Sequence, residues 1–170
     1  RSDDRSSGVI LHPTSLPGPF GIGDLGTAAY EWVDLLASTG TGLWQTLPLG
    51  PTGYGDAPYQ CFSAFAGNTN LIAPDLLVDD GLIDPPEVPS FPAEYVDFGS
   101  VIPWKRNILA AAYSRFRRRR ADPLIAEEFE RFQSEQGWLD DYAQFMAIKA
   151  AHGGVSWQDW PDELRLRDPK

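Results

Sequence analysis

Gly8-Val9-Ile10-Leu11-His12-Pro13 and Leu43-Trp44-Gln45-Thr46-Leu47-Pro48 are two short apolar runs, each stopped by a proline. Unbroken runs of this length, without polar alternation, read as strands buried on both faces, as in a parallel sheet. Between them Ala29, Val33 and Leu36 fall at i, i+4 and i+7 over residues 27–39, and Gly40 supplies a stop, so this stretch predicts a helix. A strand, a helix and a second strand in that order imply a right-handed crossover and a parallel strand pair.

Outward from this unit, turn formers and charge are unevenly spread. Residues 1–100 hold 13 of the 16 glycines, all but four of the 15 prolines, and two basic against thirteen acidic side chains. They read as short elements on long loops. The segment 48–70 is too long for a plain connection and concentrates Tyr54, Tyr59, Phe62 and Phe65, an aromatic content that argues for function and against disorder. Residues 71–100 predict only short turns. Residues 101–170 predict helices: one with Pro103 in its first turn and Trp104, Ile108, Ala112 and Phe116 as a stripe, and one capped by Asp122 and opened by Pro123, with Ile125, Phe129 and Phe132 inward. A third carries Leu139, Ala143, Met146 and Ala150 and ends at Gly153-Gly154. A tryptophan-bearing turn over 156–162 then leads to a last helix near Pro161. The expected organisation is therefore 1–70, 71–100 and a helical 101–170.

The 170 residues carry a net charge of −10, with 42% hydrophobic and 22% charged side chains. Such a chain buries a core, and its sign disfavours binding nucleic acid or anionic membrane. No apolar run approaches the roughly 18 residues of a membrane span. The single Cys61 excludes an internal disulfide and fits a cytoplasmic protein.

Gly21-Ile22-Gly23-Asp24-Leu25-Gly26 spells a dinucleotide-binding fingerprint ahead of a helix. The fingerprint works only where a strand feeds directly into the glycine turn, so that pyrophosphate meets the helix N-terminus. Here residues 13–21, with three prolines, intervene, and no acid closes the second strand. The expected role is a loop packed tightly against a sheet or barrel edge, with a nucleotide-dependent oxidoreductase as a distant alternative.

Leu11-His12-Pro13-Thr14-Ser15-Leu16-Pro17, the glycine-rich loop, Trp44-Gln45-Thr46-Leu47-Pro48-Leu49-Gly50-Pro51-Thr52-Gly53-Tyr54-Gly55-Asp56-Ala57-Pro58-Tyr59-Gln60 and Phe65-Ala66-Gly67-Asn68 together resemble the N-terminal part of the 4-alpha-glucanotransferases (amylomaltases) of glycoside hydrolase family 77. The resemblance covers nearly the whole chain and is densest over 8–72. It implies an α/β fold, the N-terminal part of a TIM (β/α)8 barrel holding strands 1 and 2, with a largely helical inserted subdomain. About 250 residues close such a barrel, so the resemblance implies that this chain is part of something longer. It also implies α-1,4-glucans as partners, no cofactor, no metal, and substrate binding by Tyr59, Tyr54, Asp56 and Gly55. Tyr59 would stack on the glucose ring beside the scissile bond, and Tyr54 would contribute to glucan binding, including a second, non-catalytic site. Read from the residues alone, both tyrosines would be ordinary loop packing. Ala57, Cys61 and Thr69-Asn70 depart from the residues common in the family, which bears on acceptor preference and not on fold. The catalytic carboxylates of the family come from later strands, so no catalytic residue is assigned here. A stand-alone carbohydrate-binding or interaction domain is the alternative.

The other candidates read as structural. Asp24 and Asp56 both follow strands, but aspartates in glycine-rich loops are turn formers before they are a catalytic pair. His12 and His152 lack partners at metal-ligand spacing, and Cys61 reads as a small buried hydrophobe. Arg115 and Arg117 to Arg120 could bind a phosphate or an acidic partner, but interleaved with Glu127, Glu128 and Glu130 they read as a solvated helix face. Trp138, Trp157 and Trp160 form either a carbohydrate platform or a helical core, with core favoured.

Overall fold

Val9 lies opposite Trp44 in a parallel pair, β1 (Gly8–Ile10) with β2 (Leu43–Gln45). The computed structural model describes residues 5–119 and 123–167. Both strands are shorter than their apolar runs. The Leu11 N–H still donates to the Gln45 carbonyl at 3.0 Å, and the Trp44 Nε1–H to the Leu11 carbonyl at 2.8 Å. The expectation of burial on both faces fails. Ile10 is 60% and Leu43 57% exposed, because strand alternation puts them on the face away from Val9 and Trp44.

That helix, α1 (Thr27–Ser38), meets the sheet where Trp32 contacts Trp44 edge to face at 6.4 Å. Ala29 and Leu36 are buried as expected, but Val33 is 48% exposed. Gly40 stops the helix through a Schellman turn. At φ +72 it lets the Thr41 N–H reach the Leu36 carbonyl and its own N–H the Ala37 carbonyl.

The chain forms two compact units, Arg1–Asp122 and Pro123–Lys170. The first also contains α2 (Pro74–Asp79) and α3 (Phe98–Arg119). α2 lies where only turns were predicted. Pro103 is interior to α3 and not in its first turn. Asp97 starts that helix, its carbonyl accepting from the Ser100 and Val101 N–H groups and its carboxylate from the Ser100 hydroxyl. The buried side chains of α3 are Val101, Lys105 and Ala112, one turn-spaced stripe whose centre is a lysine. Trp104 flanks it, stacked on Phe20 at 5.9 Å and edge-on to Phe91 at 5.6 Å.

The second unit holds α4 (Pro123–Glu135), α5 (Leu139–Ala151) and α6 (Asp162–Arg165). Pro123 opens α4 as expected; Asp122, its expected cap, lies outside the described residues. Phe132, expected inward, is 47% exposed. Trp160 is the buried centre, with Phe145 at 5.4 Å and His152 at 6.0 Å between ring centroids. α5 therefore turns Phe145 and His152 toward Trp160, while Ala143 and Ala150 of the expected stripe are exposed. Of the three tryptophans, Trp160 is core, Trp138 is half-buried against Tyr142, and Trp157 is 49% exposed.

Candidate functional site

The segment 48–70, which follows β2, folds back on itself. Cross-links pair its two stems: the Asn68 N–H donates to the Leu49 carbonyl at 2.8 Å, the Phe62 N–H to the Pro51 carbonyl at 3.1 Å, and Thr52 and Cys61 form an antiparallel bridge. Gly53 is required here, since a Cβ would come within 2.6 Å of the Gln60 carbonyl oxygen across the fold. At the tip, Tyr54–Asp56 makes one tight turn in which Gly55 and Asp56 both adopt left-handed backbone, at φ +65 and +54. Glycine does so freely, and aspartate is among the side chains that tolerate it.

The tip presents rings to solvent. Tyr54 is 88%, Tyr59 73% and Phe65 72% exposed. Beside Tyr59 lies an open groove of about 570 Å³, whose walls include Pro48, Leu49, Pro58, Cys61 and Phe65, within the range of roughly 300–1,000 Å³ for small-molecule sites. Of the four expected binding residues, Tyr59 lines the groove; Tyr54, Gly55 and Asp56 sit on the adjoining tip and are not part of its wall. Phe65 belongs to the site as well, which its place in an aromatic loop hinted at. Cys61 is half-buried and not core: its thiol donates to the Pro58 carbonyl at 3.0 Å and faces the groove.

Two devices hold the base of this loop. On the outgoing side, the His12 ring follows β1 and accepts the Thr14 N–H at Nδ1, which leaves Nε2–H to point at the Pro48 carbonyl at 3.4 Å. On the returning side, Lys105 donates to the carbonyls of Asn70 at 2.6 Å and Ile72 at 2.9 Å, and to the Asp24 carboxylate at 3.2 Å. Lys105 is 1% and Asp24 8% exposed. Burial dominates both: it pushes the Asp24 carboxyl above its usual 3.8 against the pull of Lys105, and the Lys105 ammonium below its usual 10.5 against the pull of Asp24.

Asp24 thus explains the glycine-rich loop. Its second oxygen accepts the Gly26 N–H at 3.1 Å, the turn-forming role expected of it, and with Lys105 that commits the carboxylate fully. A Cβ on Gly23 would fall 2.1 Å from the Pro13 carbonyl oxygen, and one on Gly26 2.7 Å from the Ala73 Cβ. The glycines are filled by protein. At the start of α1 the Thr27 hydroxyl donates to Asp75, so carboxylates of the chain itself stand where a pyrophosphate would sit.

The basic run is divided. Arg115 makes a two-pronged pair with Asp84, at 2.8 and 3.2 Å, and Arg119 donates to the Asp80 carbonyl. Arg117 and Arg118 are exposed in the last turn of α3, where cations complement the helix dipole, and Arg120 lies outside the described residues. Glu127, Glu128 and Glu130 belong to α4, so the arginines and glutamates do not form one helix face. Among the described residues no three His, Cys, Asp or Glu side chains form a metal-binding group, and no helix is long and apolar enough to cross a membrane.

Comparison with known proteins follows the same residues. The family model for 4-alpha-glucanotransferase matches residues 11–170. The 4-alpha-glucanotransferase of Synechocystis sp. is 45% identical over 172 residues, covering 99% of this chain and 34% of that protein. That of Thermus thermophilus is 48% identical, covering 98% and 33%. Among solved structures, amylomaltase from Streptococcus agalactiae in complex with acarbose matches with a TM-score of 0.89 at 40% identity, covering 97% of this chain and 34% of that one. The chain therefore spans about a third of the length of the relatives it matches.

Proposed function

The chain belongs to the 4-alpha-glucanotransferase family, and we propose that the protein containing it transfers α-1,4-glucan segments between glucan chains, with the 48–70 loop as part of the sugar-binding surface. The observation that carries this reading is an open groove walled by Tyr59 and Phe65, both more than two-thirds exposed, on the loop after a parallel strand. Exposed rings leave apolar surface in water that a bound ligand can cover. A pyranose has the complementary surface, an apolar C–H face ringed by hydroxyls, and a tyrosine offers it a flat face and a hydroxyl together.

In this reading β1 and β2 are the first two strands of a (β/α)8 barrel. Ile10 and Leu43, exposed on one face of the pair, turn toward the barrel interior and are covered by strands from the rest of the protein. Loops after barrel strands carry the site in such enzymes. The reaction is retaining: a carboxylate attacks the anomeric carbon as a carboxylic acid protonates the departing glucan oxygen, and an acceptor sugar hydroxyl, giving up its proton, then displaces the carboxylate. Both carboxyl groups are contributed from outside residues 1–170. Asp24, tied to Lys105 and Gly26, serves neither role. Tyr59 stacks at the reacting glucose, while Tyr54, Gly55 and Asp56 at the tip contact glucan beyond it. The single thiol of Cys61 suits a cytoplasmic setting.

The test is to incubate the full-length protein with maltotriose and resolve the products. The reading requires glucose together with maltooligosaccharides longer than the substrate, formed with retained anomeric configuration. Hydrolysis without longer products, or no reaction, would refute it.

A further inference from the structure

We propose that Lys105 is a positioning residue for glucan binding: through the carbonyls of Asn70 and Ile72, at and just past the end of the 48–70 loop, its buried ammonium fixes the returning stem, and so the wall of the groove. The inference rests on the reading of that groove as a glucan site. Two of the three donors of Lys105 go to the Asn70 and Ile72 carbonyls, and only the third to its counter-ion. For stability alone an aliphatic side chain of equal length would fill the space without desolvating a charge. What the ammonium adds is an anchor for two carbonyls at the end of a loop.

From Asn70 the constraint runs directly into the groove. The Asn70 N–H donates to the Asn68 side chain at 2.9 Å, and the Asn68 N–H donates to the Leu49 carbonyl at 2.8 Å. Leu49 lines the groove, as do Ala66 and Gly67, the residues just before Asn68. Asp24 stands outside this chain of bonds. It neutralises Lys105 and anchors it to the glycine-rich loop, whose Leu25 N–H donates to the Leu71 carbonyl at 3.0 Å, while the Asn70 and Ile72 carbonyls on either side are held by Lys105.

This separation gives the experiment, run on the full-length enzyme with maltooligosaccharide, reading KM, kcat and melting temperature. Lys105→Met is expected to raise KM roughly tenfold with a smaller change in kcat. Asp24→Asn, which leaves Lys105 bonded to both carbonyls, is expected to keep KM within about twofold of the parent. The double variant Asp24→Asn/Lys105→Met leaves no buried carboxylate without its counter-charge. It is expected to melt higher than Lys105→Met yet keep the raised KM, and it supplies the reading if the single variant fails to fold. A purely structural pair would lower the active fraction, and with it kcat, without moving KM. Unchanged KM in the lysine variants, or a KM that recovers together with the melting temperature in the double, would overturn the proposal. Tyr59→Ala in the same series separates the two ideas: a loss there with none in the lysine variants sinks the positioning role, while no loss at Tyr59 sinks the glucan reading of the groove.

Discussion

Replacing Tyr59 by alanine tests the site most directly, because its effects on binding and on folding separate. The side chain is 73% exposed, so little of its surface rests on protein and truncation removes little packing. A tyrosine covered on all sides buries about 150–250 Å². One pyranose face covers roughly a third of that, about 60–80 Å², which at about 25 cal/mol/Å² contributes ~1.5–2 kcal/mol. A hydroxyl hydrogen bond adds about 1 kcal/mol. The sum, ~2–3 kcal/mol, corresponds to a loss of roughly thirty- to two-hundred-fold in kcat/KM for maltotriose. Tyr59→Phe keeps the face and loses only the hydroxyl, so about a fivefold loss is expected. Stability should hardly respond, with the melting temperature within about 2 °C of the parent, as for other surface changes. The assay is initial rate against maltotriose concentration in the full-length enzyme, paired with thermal unfolding. Rates within twofold of the parent would refute the stacking argument. A melting temperature that falls by many degrees would return Tyr59 to loop packing.

Gly23→Ala drives a Cβ to 2.1 Å from the Pro13 carbonyl oxygen, so it should cost about 3 kcal/mol or more by urea unfolding. Gly55→Ala meets nothing within 4 Å and carries only the left-handed φ of +65, for an expected cost of ~1–2 kcal/mol; equal costs at the two positions would refute this division between close packing and backbone strain. Burial holds the Asp24 carboxyl above 3.8, so the folded protein takes up that proton at a higher pH than the unfolded chain does. Its contribution to stability is therefore full below 3.8 and is lost as pH rises through the folded value. Measured against Asp24→Asn, the parent should gain stability as pH falls from neutral, and a loss would show the reverse shift. Asp84 and Arg115 pair on the surface, where Arg115 holds the Asp84 carboxyl below 3.8. Asp84→Asn should leave thermal unfolding at neutral pH nearly unchanged, since exposed pairs contribute little.

The parallel pair was legible because its signals are local. Two apolar runs end at prolines, and Gly40 sits where a left-handed residue must stop α1. The binding loop was legible as aromatic content without secondary structure, since rings that had to be core could have been placed on a helix or strand. α2 was not, because its six residues are too few to show a period. The start of α3 was misplaced because Pro103 is a strong first-turn signal; Asp97 with Ser100 was the weaker signal that prevailed. On α5 the expected stripe holds at Leu139 and Met146, both half-buried, and fails at Ala143 and Ala150, which are exposed, because the larger Phe145 turns to Trp160. Strand burial was misjudged for a different reason. The runs suit a sheet covered on both sides, yet alternation leaves Ile10 and Leu43 open on the face away from Trp44.

Lys105 was hidden because a lysine between Trp104 and Arg106 reads as a solvated cation. A signal did exist. Val101, Ile108 and Ala112 stand at i−4, i+3 and i+7 from it, so any stripe drawn through those three passes over position 105. A cation on an inner stripe demands a buried acid, and residues 1–100 offer thirteen acids for two bases. The acid that answers is Asp24, 81 residues earlier, inside a glycine pattern that suggests a nucleotide loop. Read together, the misplaced lysine and the misleading motif explain each other. The glycines let the loop approach closely enough to bury the carboxylate, and the carboxylate makes the buried ammonium tolerable. The ammonium is then free to hold carbonyls at the foot of the loop that carries Tyr59 and Phe65.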